Sequence, residues 1–422
     1  MHHNFFTVLS VAEVRACLQA MPRLESETLS LHHPQGLEGR ILAADVRALD
    51  DVPLASRSGM DGYAVRAADT FGATESNPTY LTCVGHIAIE HPATFRIQPG
   101  QCAGIVTGGI LPEGADAIVM VEHTHPMDAH CIEVRRGVPP GEYVMFQGED
   151  ARENTVALPA GTLLRPQELG LLAAVGAVNI AVYKQPVVAI LSTGDEVIPV
   201  EDKPRVGQVR DVNSHTLGAM ARRCGASVRP LGIVKDTLEA LEKALTEGLQ
   251  HADVVLLSGG SSVGVRDLTV KALERRKGTE ILCHGVALSP GKPLILARTP
   301  QGKMVWGLPG QVTSAQVVMT VLGQPFLRHC SGQVDPFNQQ HWPLRRAELS
   351  RNVASQQGRE DYVRVRLEPR TNPHGTPLPP LAVPLLGLSG LLRTLTEAQG
   401  LVRIAAPKEG LEQGQMVDAL LI

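Results

Sequence analysis

VVLLSGGSSVGVRD, Val254 to Asp267, decides the reading of the fold. Its opening run is continuously apolar up to Ser258, without polar alternation, the pattern of a strand covered on both faces as in a parallel sheet flanked by helices. The run then breaks into Gly259-Gly260-Ser261-Ser262 and closes on Asp267. Glycines and serine hydroxyls at a strand-to-helix turn make a concave anion site, because the backbone amides point outward and no Cβ blocks close approach. Such a turn suits a phosphate. The Lys-Ser/Thr ending of a P-loop is absent and the spacing is not the dinucleotide fingerprint, so nucleoside triphosphate hydrolysis of that type is disfavoured.

The neighbourhood repeats the pattern. VVAILST (187–193) is another continuous apolar run, Asn213 and Ser214 offer a helix cap, Gly225 a stop, and SVRPLGIV (227–234) a second strand. Asp236 can cap a helix with Leu238, Leu241, Leu245 and Leu249 on its inner face, and ILCHGVAL, LILA and MVWGLP supply further strands. This alternation predicts an open, mostly parallel sheet with helices on its faces. Ligands bind such sheets beyond the carboxyl ends of the strands. Those ends run into Thr193-Gly194-Asp195-Glu196, Asp236, the quoted loop to Asp267, SPGKP (Ser289 to Pro293) and GLPG (Gly307 to Gly310). Glu196, Asp236 and Asp267 would hold a hard divalent cation through oxygen, and Lys292 would place a point charge on a phosphate. Phosphate with a metal suggests phosphoryl or nucleotidyl chemistry. Each feature also has a plain structural reading: a tight connection for Gly-Gly-Ser-Ser, a helix cap for Asp236, solvated carboxylates for Asp195 and Glu196. His123, His125 and His130 lack zinc spacing and read as surface histidines.

Elsewhere, Ser10 and Glu13 stand in capping-box spacing before a helix with Val11, Val14, Leu18 and Met21 on one face, and Pro166 opens another. Residues 51–150 break into short β-rich pieces (YLTCVGHIAI, AIVMVEHT, CIEVRR), and β texture returns after about Gln333 (DYVRVRL, GLVRIAA, MVDALLI). The expected division is a helical linking domain (1–50 with 151–185), a β-rich inserted domain (51–150), the α/β domain (186–332) and a small C-terminal β domain (333–422).

With 422 residues, 43% hydrophobic and 19% charged, the chain has the composition of a soluble multi-domain protein. A net charge of −4 offers no diffuse attraction to nucleic acid. Seven scattered cysteines form no metal or disulfide framework, no apolar run approaches a membrane span, and the start lacks a secretory pattern, so a cytoplasmic location is expected.

SGMDGYAVRAAD (58–69), IVTGGILPEGADAIVM (105–120), GED (148–150), STGDEV, GIVKD, LSGGSSVGVRD, SPGKP, GLPG and GREDYVRVRL occur in the order seen in the molybdopterin molybdenumtransferases, the MoeA and gephyrin E-domain family, which the chain resembles over nearly its whole length. The resemblance implies a multi-domain α/β plus β fold whose central sheet is of the molybdopterin-binding type and whose last domain is barrel-like. It implies insertion of molybdate into adenylylated molybdopterin with loss of AMP, helped by magnesium or another divalent cation. It also implies a homodimer, with a molybdopterin adenylyltransferase as a partner. By that resemblance Asp61, Thr107 and Asp150 line the cleft from the partner side, and Glu196, Asp236 and Asp267 surround metal, molybdate and anhydride. Thr193, Gly194, Asp195, Ser258, Gly259, Gly260, Ser262, Gly264, Ser289, Lys292 and Pro309 would hold the cofactor. The chain departs from the family at Ser289, where a lysine is usual, at Gln311-Val312, where Asn-Pro is usual, at Val265 and at Leu268. A divergent carrier that binds molybdopterin without inserting metal is the alternative these departures raise.

Overall fold

The structure, a computed structural model, describes residues 8–33, 36–259, 263–388 and 390–422, with backbone alone over 263–267. Val11–Gln19 forms α1. Ser10 Oγ accepts the Glu13 N–H at 3.2 Å while a Glu13 carboxylate oxygen accepts the Ser10 N–H at 2.7 Å, the reciprocal cap implied by the Ser-x-x-Glu spacing.

Two compact units divide the chain. One consists of Thr28–Glu38 and Leu42–Ala181. Its six-stranded sheet is built from β1 (Gly62–Val65), β2 (Thr79–Ile87), β3 (Gln101–Ile105), β4 (Ala117–Met120), β5 (Thr124–Pro126) and β6 (Cys131–Val134), in the order β4-β1-β3-β2-β6-β5. Strand alternation sends Val65 and Val119 into one core and Ala64 and Ile118 into another. Gly62 is required at this pairing, since a Cβ there would lie 2.0 Å from the Val119 carbonyl oxygen. In α2 (Pro166–Ala174) the proline takes the first turn, where its missing N–H costs nothing, and Leu172 is buried.

The other unit consists of Met1–Glu27, Gly39–Ile41 and Val182–Ile422. Here β7 (Val187–Thr193), β8 (Ser227–Val234), β9 (Val254–Gly259), β10 (Glu280–His284), β12 (Ile295–Arg298) and β13 (Met304–Pro309) form a sheet in the order β8-β7-β9-β13-β12-β10, while the short β11 (Leu288–Ser289) joins a second sheet. The four strands β8, β7, β9 and β13 are parallel; β12 runs against them, and β10, antiparallel to β12, runs with them again. The five residues from Thr299 to Lys303 that join β12 to β13 are too few for a crossover, so that edge must reverse. Helices α3 (Asn213–Arg222), α4 (Leu238–His251), α5 (Val263–Arg275), α6 (Val312–Val318) and α7 (Gln324–Cys330) complete the layers. Successive residues of β9 serve opposite cores: Leu256 joins Ile190, Trp306 and the α1 residues Val11, Val14 and Leu18, and Leu257 joins Leu191 with Leu241 and Leu245 of α4. Continuous apolar runs are thus explained by burial on both faces.

The chain then forms β14 (Leu344–Leu349), β15 (Glu360–Thr371), β16 (Pro377–Pro384), the short α8 (Arg393–Glu397), β17 (Gly400–Ile404) and β18 (Met416–Leu421). Strand β17 pairs with both β18 and β15, closing a five-stranded barrel around Ala347, Val365, Ala382 and Val402. The architecture is multi-domain α/β plus β, with a mostly parallel central sheet, a β-rich domain and a small terminal barrel.

Candidate functional site

The parallel register sets the site. Ser192 is paired with Ser258 and Thr193 with Gly259, so β7 and β9 end side by side, and Val234 of β8 lies opposite Thr193. A Cβ on Gly259 would stand 1.9 Å from Thr193 Cγ2; only glycine lets the two strand ends approach this closely.

Thr193, with no exposed surface, donates its hydroxyl hydrogen bond to Asp236 Oδ1 across the β7–β8 boundary. Asp236 does not cap α4, contrary to the cap reading of the sequence. Thr237 has the extended backbone an N-cap needs and its Oγ1 accepts from Ala240 N, leaving the Asp236 carboxylate to the strand ends. A similar exchange occurs at α3. Asp211 Oδ1 accepts from Ser214 N at 3.1 Å and from Ser192 Oγ at 2.8 Å, so Asp211 does the capping expected of Asn213 and Ser214. Asn213 Nδ2 instead donates to Ser258 Oγ (2.6 Å) and to the Gly310 carbonyl (2.7 Å), tying α3 to the ends of β9 and β13.

These bonds frame a cavity of about 710 Å³ lined by Thr193, Glu196, Asn213, Ser258, Gly259 and Gln311, among others. Asp195 is exposed in the turn after Gly194, and Pro309 is paired with Gly259 at the rim. Ser289 lies in β11, paired with Asp361 of β15, and Lys292 is exposed; neither lines the cavity. Gly260 and Ser262 lie outside the described residues, as does the Asp267 side chain, while Gly264 is described as backbone of α5. Among the described residues no three His, Cys, Asp or Glu side chains form a metal-binding group. His123 meets an Arg136 Nη1 at 3.0 Å.

Arg364 was not singled out in the sequence. It is 8% exposed, and among the described residues its guanidinium meets only neutral oxygens: Nη2 donates to the Gly387 carbonyl at 2.8 Å, and Nη1 faces Thr313 Oγ1 and Thr394 Oγ1. Burial draws its pKa below the usual arginine value. A buried cation with neutral partners is stabilised by an arriving anion. Thr313 follows Val312 of the cavity wall, and Gly390 and Leu392 of that wall lie on the segment between Gly387 and Thr394. No local signal marks this arginine, because its partners are 51, 23 and 30 residues away in sequence.

In the other unit, Asp61 Oδ1 accepts from Thr107 N (2.6 Å) and Thr107 Oγ1 (2.8 Å), joining two residues that the family resemblance groups. The backbone N–H and then the hydroxyl hold this carboxyl below the usual carboxylate range. Asp150 is exposed, with its N–H bonded to the Val52 carbonyl at 2.9 Å.

Three family models match the chain in succession: the MoeA N-terminal region (domain I and II) over residues 9–176, a "Probable molybdopterin binding domain" over 189–329, and the MoeA C-terminal region (domain IV) over 346–422. The molybdopterin molybdenumtransferase of Bacillus subtilis is 30% identical over 91% of this chain and 87% of its own. The chain belongs to the MoeA family. A molybdopterin molybdenumtransferase of Nostoc is 36% identical over 70% of this chain and 67% of its own. Among solved structures, a molybdopterin biosynthesis MoeA protein from Pyrococcus horikoshii shares 31% identity over 98% of this chain and 99% of its own, with a TM-score of 0.77. The MoeA assignment thus spans both units and the barrel.

Proposed function

We infer that this MoeA-family protein is a molybdopterin molybdenumtransferase that inserts molybdate into adenylylated molybdopterin and releases AMP. The observation that carries the reading is the meeting, at one rim of the parallel sheet, of the Ser258-Gly259 end of β9 with Glu196 and Thr193, the partner of Asp236, around a cavity large enough for a cofactor.

The chemistry follows from the donors present. Ser258 offers a hydroxyl to a phosphate, and the Gly-Ser-Ser sequence that follows Gly259 is of the kind whose amides bind one. Glu196 and Asp236, joined by Asp267, are oxygen ligands of the kind magnesium takes, and would hold it at the anhydride. Bound there, the cation would neutralise charge on the phosphate oxygens as the bond to AMP breaks. Arg364 offers a cation for the molybdate dianion, in a chain where Ser289 replaces the family lysine. Asp61, Thr107 and Asp150 are proposed to complete the cleft from the second subunit of a homodimer, and a molybdopterin adenylyltransferase to supply the substrate in the cytoplasm. Among the described residues no helix is long and apolar enough to cross a membrane.

The test mixes the purified protein with adenylylated molybdopterin, molybdate and magnesium and measures AMP. Release that Asp236→Asn and Asp267→Asn cut by about 100-fold supports the reading, on the scale of losing an electrostatic partner of the reacting group. AMP at background for the unaltered protein, with molybdopterin still bound, points instead to the carrier reading, which Ser289 and Gln311-Val312 motivate.

A further inference from the structure

A second cavity, of about 220 Å³, lies at the opposite end of α3 from the first. Asn213, at the start of that helix, lines the substrate cavity; Met220 and the C-cap residue Arg223 line this one. Arg223 stands ten positions after Asn213, about 15 Å along the axis, so the two cavities are distinct sites that share a wall.

The lining divides by chemistry. One side carries Arg223 and Arg328 with Thr320 and Gln324; the other is apolar, with Trp342 and Leu420. Among the described residues no Asp or Glu side chain contributes to the wall, the last residue, Ile422, brings its carboxylate to the same lining, and neither arginine makes an ion pair. Both arginines line the same cavity, and both bear electrostatically on the Cys224 thiol, whose pKa burial nevertheless pushes up. A second feature is independent of the charges. Between α6 and α7 the helix widens into a π-turn over Met319–Gly323, and Thr320 of that turn faces the cavity. Single π-turns interrupt a favourable helix ladder and recur at functional sites.

We propose that this cavity, between the C-terminal end of α3, the π-turn and the barrel, is a second ligand site that takes a small organic anion: one ring-sized apolar body bearing a phosphate or carboxylate. Two guanidinium groups without an ion pair among the described residues match the acid group, with the second hydrogen of the Gln324 amide beside them, while the Thr320 hydroxyl is already donated to the Gln316 carbonyl. Trp342 and Leu420 cover the ring, which a bare inorganic ion would leave unfilled. A volume of about 220 Å³ admits one ring and its acid group and excludes the whole of a nucleotide-bearing pterin. The proposal stands without the transferase reading, because it concerns binding alone.

Phenylphosphate serves as the probe in calorimetric titration of the full chain, with AMP present in excess to fill the first cavity. Binding with half-saturation at or below about 1 mM is expected, with affinity at least about tenfold lower for inorganic phosphate and for benzyl alcohol. Arg223→Gln, an exposed side chain whose loss leaves the core intact, should weaken phenylphosphate at least about fivefold, and Arg328→Lys should retain more affinity than Arg328→Gln. The proposal is overturned if AMP displaces phenylphosphate competitively, if Arg223→Gln binds it as the unaltered protein does, or if inorganic phosphate binds equally well.

Discussion

Thr193 Oγ1 donates a hydrogen bond to Asp236 Oδ1, joining the ends of two neighbouring parallel strands whose residues are 43 positions apart. The hydroxyl fixes the direction of a carboxylate that the alternative role, capping α4, would have turned away. Thr193→Val keeps the shape of this fully buried side chain and removes the donor. Losing one such bond costs about 1 kcal/mol, so AMP release should fall roughly fivefold while Thr193→Ser stays near the unaltered rate. Equal loss in both variants would show that the hydroxyl is not what matters.

Gly259→Ala tests the close approach of β7 and β9. The added methyl meets Thr193 Cγ2 at 1.9 Å and the Thr193 carbonyl oxygen at 2.6 Å, so the strand ends must part. Overpacking of this kind costs about 1–3 kcal/mol, and the melting temperature should drop accordingly, with AMP release falling further than stability alone explains. A variant that melts and turns over normally contradicts the geometry.

For Arg364 the effects on stability and function should separate. Among the described residues its guanidinium is buried without a carboxylate, so Arg364→Met removes a desolvated charge and should leave the melting temperature unchanged or raised. The same change should raise the molybdate concentration for half-maximal activity by at least about tenfold, the loss of one charge-assisted contact. A melting temperature that falls sharply while molybdate dependence stays fixed would assign Arg364 a structural role.

Gln311 is the N-cap residue of α6 and makes no capping bond; Val312 holds the first helical position. Asparagine caps well, and proline is favoured at the next position, where the N–H has no helical partner. Gln311→Asn with Val312→Pro should therefore stabilise the protein by about 1 kcal/mol, raising the melting temperature by about 2–4 °C. Thermal unfolding decides it, and a lower value than the parent refutes the cap argument.

Asp61 gives the pH dependence. Its folded pKa lies below the usual value because Thr107 N–H and Oγ1 both donate to one oxygen. The bonds therefore stabilise the fold above the unfolded carboxyl pKa, and that contribution is lost as pH falls through the depressed folded value. Thr107→Val removes the hydroxyl and leaves the backbone donor. The Asp61 titration midpoint, followed by carboxyl carbon NMR, should move up toward the usual range, and an unmoved midpoint excludes the hydroxyl as a cause.

Much of this was open to reading along the chain. The unbroken apolar runs at 187–193 and 254–258 specify strands covered on both faces, because each residue parity must find its own core. Ser10 with Glu13, and Pro166, mark helix starts through bonds that span only a few residues. Rank order along the sheet also put Glu196, Asp236 and Ser258 at strand ends. The tertiary structure decided how those ends are used. It gave the cap of α4 to Thr237 and that of α3 to Asp211, released Asp236 and Asn213 to bridge neighbouring strands, and reversed β12. It also surrounded Arg364 with Thr313, Gly387 and Thr394 and, among the described residues, left it without a counter-charge. Periodicity encodes which face of an element is buried, since that depends on neighbours within a few positions. A side chain's hydrogen-bond partner depends on which distant backbone arrives beside it, and that is fixed only when the sheet and the barrel close.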